Sequence, residues 1–300
     1  MRIVEADLEI QREPFARPFG FKGSAFHEKW NLVVRAKDDV GHVAYGVGGL
    51  AVLWSDGAVF VAHSEMGGNV LQAAVLEFAL QRAMNLEFES PIELFDAIVE
   101  DVFDFGKQIT RNEKLRRTFV LIAMVALDNA AWLLHAQRQG IDSFDELIPA
   151  RFRSLLCHRQ SRVAIVPAVG YTLPMSELGA LLDGGAYVLK IKIGHPGGEV
   201  DMLEKDKVWL SQIHKLAKEY DSPMTDSGKV VYYLDANGRY GKKESMARLL
   251  DHAESGGFLD RIALIEEPFS KPDEWDVHGL PARFAGDESI ETVADVKTRV

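Results

Sequence analysis

Cysteine is almost absent. Cys157 is the only one in 300 residues, so the chain can form no internal disulfide, which fits a reducing, cytoplasmic setting. The opening, MRIVEADLEIQRE, lacks the apolar stretch of a signal peptide. No uninterrupted apolar run reads as long enough to span a bilayer, so no membrane partner is expected. Surplus positive charge is lacking as well: 34 Lys and Arg stand against 45 Asp and Glu, a net charge of -11. That argues against a nucleic-acid partner, which wants a basic face. No internal repeat or low-complexity tract stands out. What remains is an ordinary soluble composition, 47% hydrophobic and 26% charged, with length enough for a sizeable core and two domains.

The first 60 residues or so read as strands: Arg2 to Ile10, Trp30 to Ala36, and Val43 to Val52. Between the first two lies Phe15 to Gly23, rich in aromatics, Gly and Pro, which reads as a packed surface loop in preference to a flap over a ligand. Gly46, Gly48 and Gly49 lack the strand–helix–strand context of a dinucleotide fingerprint, and Ala51 stands where its last glycine would fall. They predict a turn or bulge. From about 67 to 138 the pattern is helical. Val70 to Met84 is apolar on most of its surface, and Ser90-Pro91 is an N-cap followed by Pro at the first helical position. Phe119 to Gln137 reads as a long, mainly buried helix ended by Gly140. Asp128 and Trp132, at i and i+4 within it, read as a core-facing polar contact and an aromatic anchor.

The pattern changes after residue 160. Strand-like and helical stretches alternate from Val163 to Gly286, the signature of a parallel sheet or barrel. The expected fold is an α+β capping domain over 1–125, a bridging helix and linker over 126–160, and a TIM-type (β/α) barrel over 161–300.

The run Tyr187 to Gly194 carries two lysines, Lys190 and Lys192, that a strand would place on one face. Paired ammonium groups disfavour each other's charge, and burial adds to the effect. A lysine with a lowered pKa serves as a general base near neutral pH. Three later apolar runs each end in acid: Asp235-Ala236-Asn237, Glu266-Glu267-Pro268 and Asp287-Glu288-Ser289. In a (β/α) barrel the C-terminal strand ends form the active-site mouth. Three carboxylates converging there make a hard oxygen site suited to Mg²⁺. Asp235 and Glu266 are 31 positions apart, close to one βα unit; the longer gap after Lys192 is accounted for by a polar insertion, Tyr220 to Lys229. His195 before Pro196 reads as a solvated turn residue. Cys157-His158 has no third partner for a nucleophilic site, and Asp226 to Lys229 lacks the spacing of a phosphate loop.

With Lys190-Ile191-Lys192, Asp235-Ala236-Asn237, Ile265-Glu266-Glu267-Pro268, Gly286-Asp287-Glu288-Ser289 and the helix Ala126 to Trp132 in order, the chain resembles the enolase superfamily. The closest branches are the mandelate-racemase and muconate-lactonising types, the latter favoured by aspartate at 287. The resemblance implies Asp235, Glu266 and Asp287 as ligands of Mg²⁺, with Mn²⁺ as a substitute. It implies Lys192 as acid/base on one face of a small carboxylate substrate, and Lys190 as its electrostatic assistant. Asn237 and Glu288 would orient ligands. Loops carrying Phe19, Phe21 and Lys22, and Gly49 and Trp54, would close over the substrate. The implied reaction removes a proton α to a carboxylate through an enediolate, leading to racemisation, epimerisation or cycloisomerisation. The alternatives are a sugar-acid dehydratase on the same scaffold and a non-catalytic binding relative. A homo-oligomer is expected. Asp287 falls within the fifth βα unit, so the pattern reads as roughly the first five units of a longer barrel, with the group serving the opposite face of the substrate beyond residue 300.

Overall fold

The computed structural model describes residues 1–271 and 275–299. The chain divides into two units, one of Met1–Pro14 with Glu28–Ser161, the other of Phe15–His27 with Arg162–Val300.

The first unit is built on an antiparallel sheet in the order β1 (Ile3–Phe21), β2 (Ser24–Asp38), β3 (Val43–Gly49). Along β2, Trp30, Leu32, Val34 and Ala36 are buried in strict alternation, the period of a sheet with one face in a core. The helices are α1 (Val52–Ser55), α2 (Gly57–Ala83), α3 (Pro91–Thr110), α4 (Arg117–Gln139), and the short turns α5 (Phe144–Leu147) and α6 (Ala150–Arg153). The Ser90 side chain caps α3 by accepting from Glu93 N, and Gly140 ends α4 in the left-handed region at φ 64°. Asp128 is half-buried; burial raises its carboxyl pKa against a hydrogen bond with Trp132.

Five expectations change. The aromatic stretch from Phe15 is no loop: β1 and β2 run on into a hairpin whose turn is Lys22-Gly23, at φ 51° and 71°, the twist-matched turn of two-residue hairpins. The helical region begins earlier than about residue 67, at Val52 with α1 and then at Gly57, where Asp56 accepts from Ala58 N and Val59 N; α2 breaks once at Ser64. Gly46 and Gly48 form neither turn nor bulge, since β3 pairs with β2 without interruption from Val43 to Gly49. Their role is close approach: a Cβ on Gly46 would stand 1.9 Å from Ala126 O, and one on Gly48 2.8 Å from Ala126 N. The backbone of α4 therefore lies directly on the strand. Finally, α4 is by length and composition apolar enough to cross a membrane. Its Phe119, Ala123, Met124, Leu127, Ala130 and Leu134 are instead packed into the core of this unit, and the helix expected to bridge the two units lies within the first.

The second unit is a five-stranded parallel sheet in sequential order: β4 (Ala168–Val169), β5 (Val188–Lys192), β6 (Val231–Asp235), β7 (Ile262–Glu266) and β8 (Phe284–Ala285). Helices α7 (Met175–Asp183), α8 (Glu199–Ala217) and α9 (Lys243–Ser255) connect the first four strands, and α10 (Val293–Arg299) follows the last. This is the repeated βα pattern expected, with a first strand shorter than Val163 to Val169. Leu189, Ile191, Tyr232, Leu234 and Ile265 join Leu210, Ile213, Leu249 and Leu250 of the helices in one core. The opposite sheet face carries Lys190, Lys192, Tyr233, Asp235 and Glu266 towards the C-terminal strand ends.

The close seating of α4 on β3 yields a direct test. Gly46→Ala forces a methyl into the helix backbone, and overpacking of this kind costs about 1–3 kcal/mol. A lowered urea midpoint with an unchanged slope is expected; an unchanged midpoint would show that strand and helix are not in contact there.

Candidate functional site

Strand register sets the geometry. Lys192 is the Cα partner of Asp235 on β6, and Asp235 is the partner of Glu266 on β7. Glu266 in turn pairs with Ala285, after which Gly286 leads into Asp287. Parallel pairing thus brings the four sequence-predicted strand ends into one layer.

The side chains converge. Lys192, 7% exposed, places Nζ 2.5 Å from Asp235 Oδ2 and 3.0 Å from Asn237 Oδ1. Lys190 Nζ lies 2.9 Å from the same Asp235 oxygen and 2.5 Å from Glu266 Oε2. The expected mutual lowering of the lysine pKa values does not hold for Lys190. Burial lowers it, but the facing Asp235 and Glu266 carboxylates outweigh burial and raise it well above its ordinary value. Glu266 is pushed up to about 7 by burial and by the negative charge of Asp235; Asp287 adds to the rise, while Lys190 and the Tyr233 hydroxyl oppose it.

Asn237 sits at φ 45° just past β6. Its backbone N–H donates to Asp235 Oδ1 at 3.1 Å, and its Nδ2 donates to Glu288 Oε1 at 3.3 Å. Glu288 is 2% exposed, its Oε2 is buried with no hydrogen-bond partner among the described residues, and burial raises its pKa against the pull of Lys22. Lys22, at the hairpin tip, reaches Glu288 Oε1 at 3.2 Å. Phe21 presents its ring to Lys192 Nζ at 5.1 Å, and Phe19 packs on Phe21 and Phe26. Gly49 and Trp54 lie in the first unit, at the end of β3 and in α1.

Several participants escaped the sequence reading. Tyr233 stands two residues before Asp235 on the same strand face, and that spacing was the available signal. Glu267, the second acid of its pair, turns away at φ 44° and accepts from Asp287 N at 2.8 Å and Ser289 Oγ at 2.9 Å; it holds the loop that carries Asp287 and Glu288. Asp206, wholly buried on α8, had no local signal. His195 is no solvated turn residue: Nδ1 is 2.6 Å from Asp206 Oδ1, and the ring stacks on Tyr171 at 4.1 Å.

Among the described residues no three acids, histidines or cysteines stand as a ready-made metal cluster. The Lys190 ammonium lies between Asp235 and Glu266 as the local positive charge. The donor chemistry nonetheless suits a hard divalent cation. Two buried carboxylates face each other across adjacent strands, and Asp287 abuts the second strongly enough to raise its pKa, an all-oxygen set.

No protein-family model and no curated protein sequence matches the chain. Solved structures do. The L-Ala-D/L-Glu epimerase of Bacillus subtilis, in a substrate-liganded complex, superimposes with a TM-score of 0.66 at 17% identity over 98% of this chain and 70% of its own. A dipeptide epimerase of Enterococcus faecalis, complexed with Mg and the dipeptide L-Leu-L-Tyr, gives 0.64 at 16% over the same shares. A mandelate racemase/muconate lactonizing enzyme-like protein of Rubrobacter xylanophilus gives 0.61 at 17%, over 95% of this chain and 67% of that one. The chain has their fold. This is the fold expected from the sequence, an N-terminal α+β unit followed by parallel βα units. At such identities the likeness is one of fold. Epimerases stand beside lactonizing-enzyme-like proteins within it, and the muconate-lactonising type is not singled out.

The Glu266 environment predicts a pH dependence in metal-free protein. With a folded pKa of about 7 against 4.5 for the unfolded chain, the native state binds the extra proton between those values. Stability from this group is therefore full below 4.5 and lost as pH rises through 7. Urea unfolding in EDTA is expected to show that decline, and Glu266→Gln to flatten it; an equally steep decline in the variant would assign it to other groups.

Proposed function

We propose that this site removes a proton α to the carboxylate of a small acid, with Lys192 as the acid/base on one face of the substrate. The observation that carries the reading is the buried Lys192 amine, fixed between Asp235 and Asn237 in the same layer as the strand-end acids Asp235 and Glu266. Asn237 Oδ1 takes one N–H of Lys192 and orients Nζ, the atom that takes the proton and returns it. Lys190, set between two carboxylates, keeps its positive charge and stands where negative charge develops on the substrate carboxylate as an enediolate forms. Phe21 covers Lys192 from the hairpin side, reducing water access to the amine. Asp235, Glu266 and Asp287 would hold Mg²⁺, which supplies Lewis-acid stabilisation of carboxylate charge. Glu267 and Glu288 position those acids and Asn237.

The reaction class is then isomerisation, by racemisation or epimerisation, or by cycloisomerisation, according to the group that meets the opposite face. The solved structures bearing dipeptides make amino-acyl acids the first substrates to try. In D₂O, with Mg²⁺ present, a panel of dipeptides and N-acyl amino acids is expected to include members whose α-hydrogen exchanges for deuterium, read by proton NMR. EDTA should abolish that exchange. Lys192→Ala should slow it about 10²- to 10⁴-fold, the usual share of a general base. Undiminished exchange in the variant would remove Lys192 from its role, and exchange indifferent to EDTA would remove the metal.

A further inference from the structure

The turn that follows Lys192 is gripped on both sides. Gly194 N and His195 N donate to the Asp206 carboxylate at 2.8 and 3.2 Å, and the buried Tyr240 hydroxyl donates to the same group at 2.6 Å. On the carbonyl side, the Tyr171 hydroxyl lies 2.8 Å from Ile193 O and 2.9 Å from Gly194 O. Arg239 donates to the carbonyls of Gly194, His195 and Gly197 at 3.3–3.4 Å.

Tyr171 and Arg239 also seat the hairpin tip. The Gly23 N–H donates to the Tyr171 hydroxyl, and Tyr171 N donates to Gly20 O at 3.2 Å. Gly23 lies so near the Arg239 guanidinium that a Cβ there would stand 2.7 Å from Cζ; a Cβ on Gly194 would stand 2.6 Å from Arg239 Cβ. Tip and turn therefore share one hydroxyl and one arginine side chain. A hydroxyl accepts and donates at once, and accepting from Gly23 strengthens what it donates to the turn.

We propose that Tyr171 and Arg239 are positioning residues that couple the hairpin tip to Lys192. Seating of Lys22-Gly23 tightens the Ile193-Gly194 turn through the Tyr171 hydroxyl, and the turn fixes the strand end from which the Lys192 amine projects. The consequence for catalysis rests on the proton-transfer reading above; the coupling itself rests on these contacts. A residue at the tip thereby acts on the amine through the chain behind it as well as by covering it with Phe21.

The test uses neither substrate nor metal, so failure of the activity and failure of the coupling are told apart. Amide hydrogen exchange at Gly23, Gly194 and His195, and the ¹⁵N resonance of the Lys192 amine, are measured in the unaltered chain, Gly23→Ala, Tyr171→Phe and the double variant. Gly23→Ala crowds the tip off Arg239, whereas Tyr171→Phe deletes only the hydroxyl. Each single variant is expected to speed exchange at Gly194 and His195 at least tenfold and to move the Lys192 resonance, leaving Lys215 on α8 unmoved. The double variant should fall clearly short of the sum of the two single effects. Additive effects in the double variant, or a turn and amine indifferent to Gly23→Ala, overturn the coupling. Should Gly23→Ala disorder the hairpin, Tyr171→Phe decides: exchange rising at both Gly23 and Gly194 supports the link, and a rise at only one refutes it.

Discussion

Parallel register between β5, β6 and β7 is the constraint on which this molecule depends. Lys192, Asp235 and Glu266 occupy one rung because their strands pair without a slip at that level. A one-residue shift would turn every side chain of a strand to the other face. What prevents it is the opposite face: Leu189 and Ile191, Leu234, and Ile265 are buried against α8 and α9. The apolar residues that fill the core and the charged residues that fill the site alternate on the same strands. Packing on one side thus fixes chemistry on the other.

The charged layer works against stability. Two lysines and three strand-end carboxyl groups are drawn together in a site where Asp235 is wholly buried and Glu266 nearly so. Burying ions costs several kcal/mol each unless attraction and hydrogen bonds offset it. The offset is incomplete here, as the raised pKa of Glu266 and the unmet oxygen of Glu288 show. A fold under selection for stability alone would replace such groups with well-packed apolar ones. Their presence at the C-terminal strand ends is what makes this layer the candidate functional site.

The hairpin shows how local chemistry and distant packing combine. Lys22-Gly23 adopts the left-handed pair that joins two twisted strands, so the turn itself needs nothing from the rest of the chain. What it does there depends on Tyr171 and Arg239, from loops far along the sequence. The same holds at β3, where Gly46 and Gly48 leave room for the backbone of α4. Both glycine sets looked like punctuation, because in a sequence a glycine made for close approach is indistinguishable from one made for a turn.

The amino-acid sequence by itself determined the order of the elements, the βα alternation, and the identity of the strand-end groups. Period-2 and period-3.6 patterning, the Ser90 and Gly140 caps, and acids after apolar runs are all local properties. It could not reveal that Lys190 keeps its charge, since that follows from two carboxylates delivered by neighbouring strands. Nor could it reveal that Glu267 turns to hold a loop while Glu266 faces Asp235, that His195 belongs to Asp206, or that an aromatic stretch is a hairpin arm. Those outcomes rest on distances of a few ångströms between residues tens to hundreds of positions apart. Electrostatics and close packing act through space, and only the folded chain sets those distances.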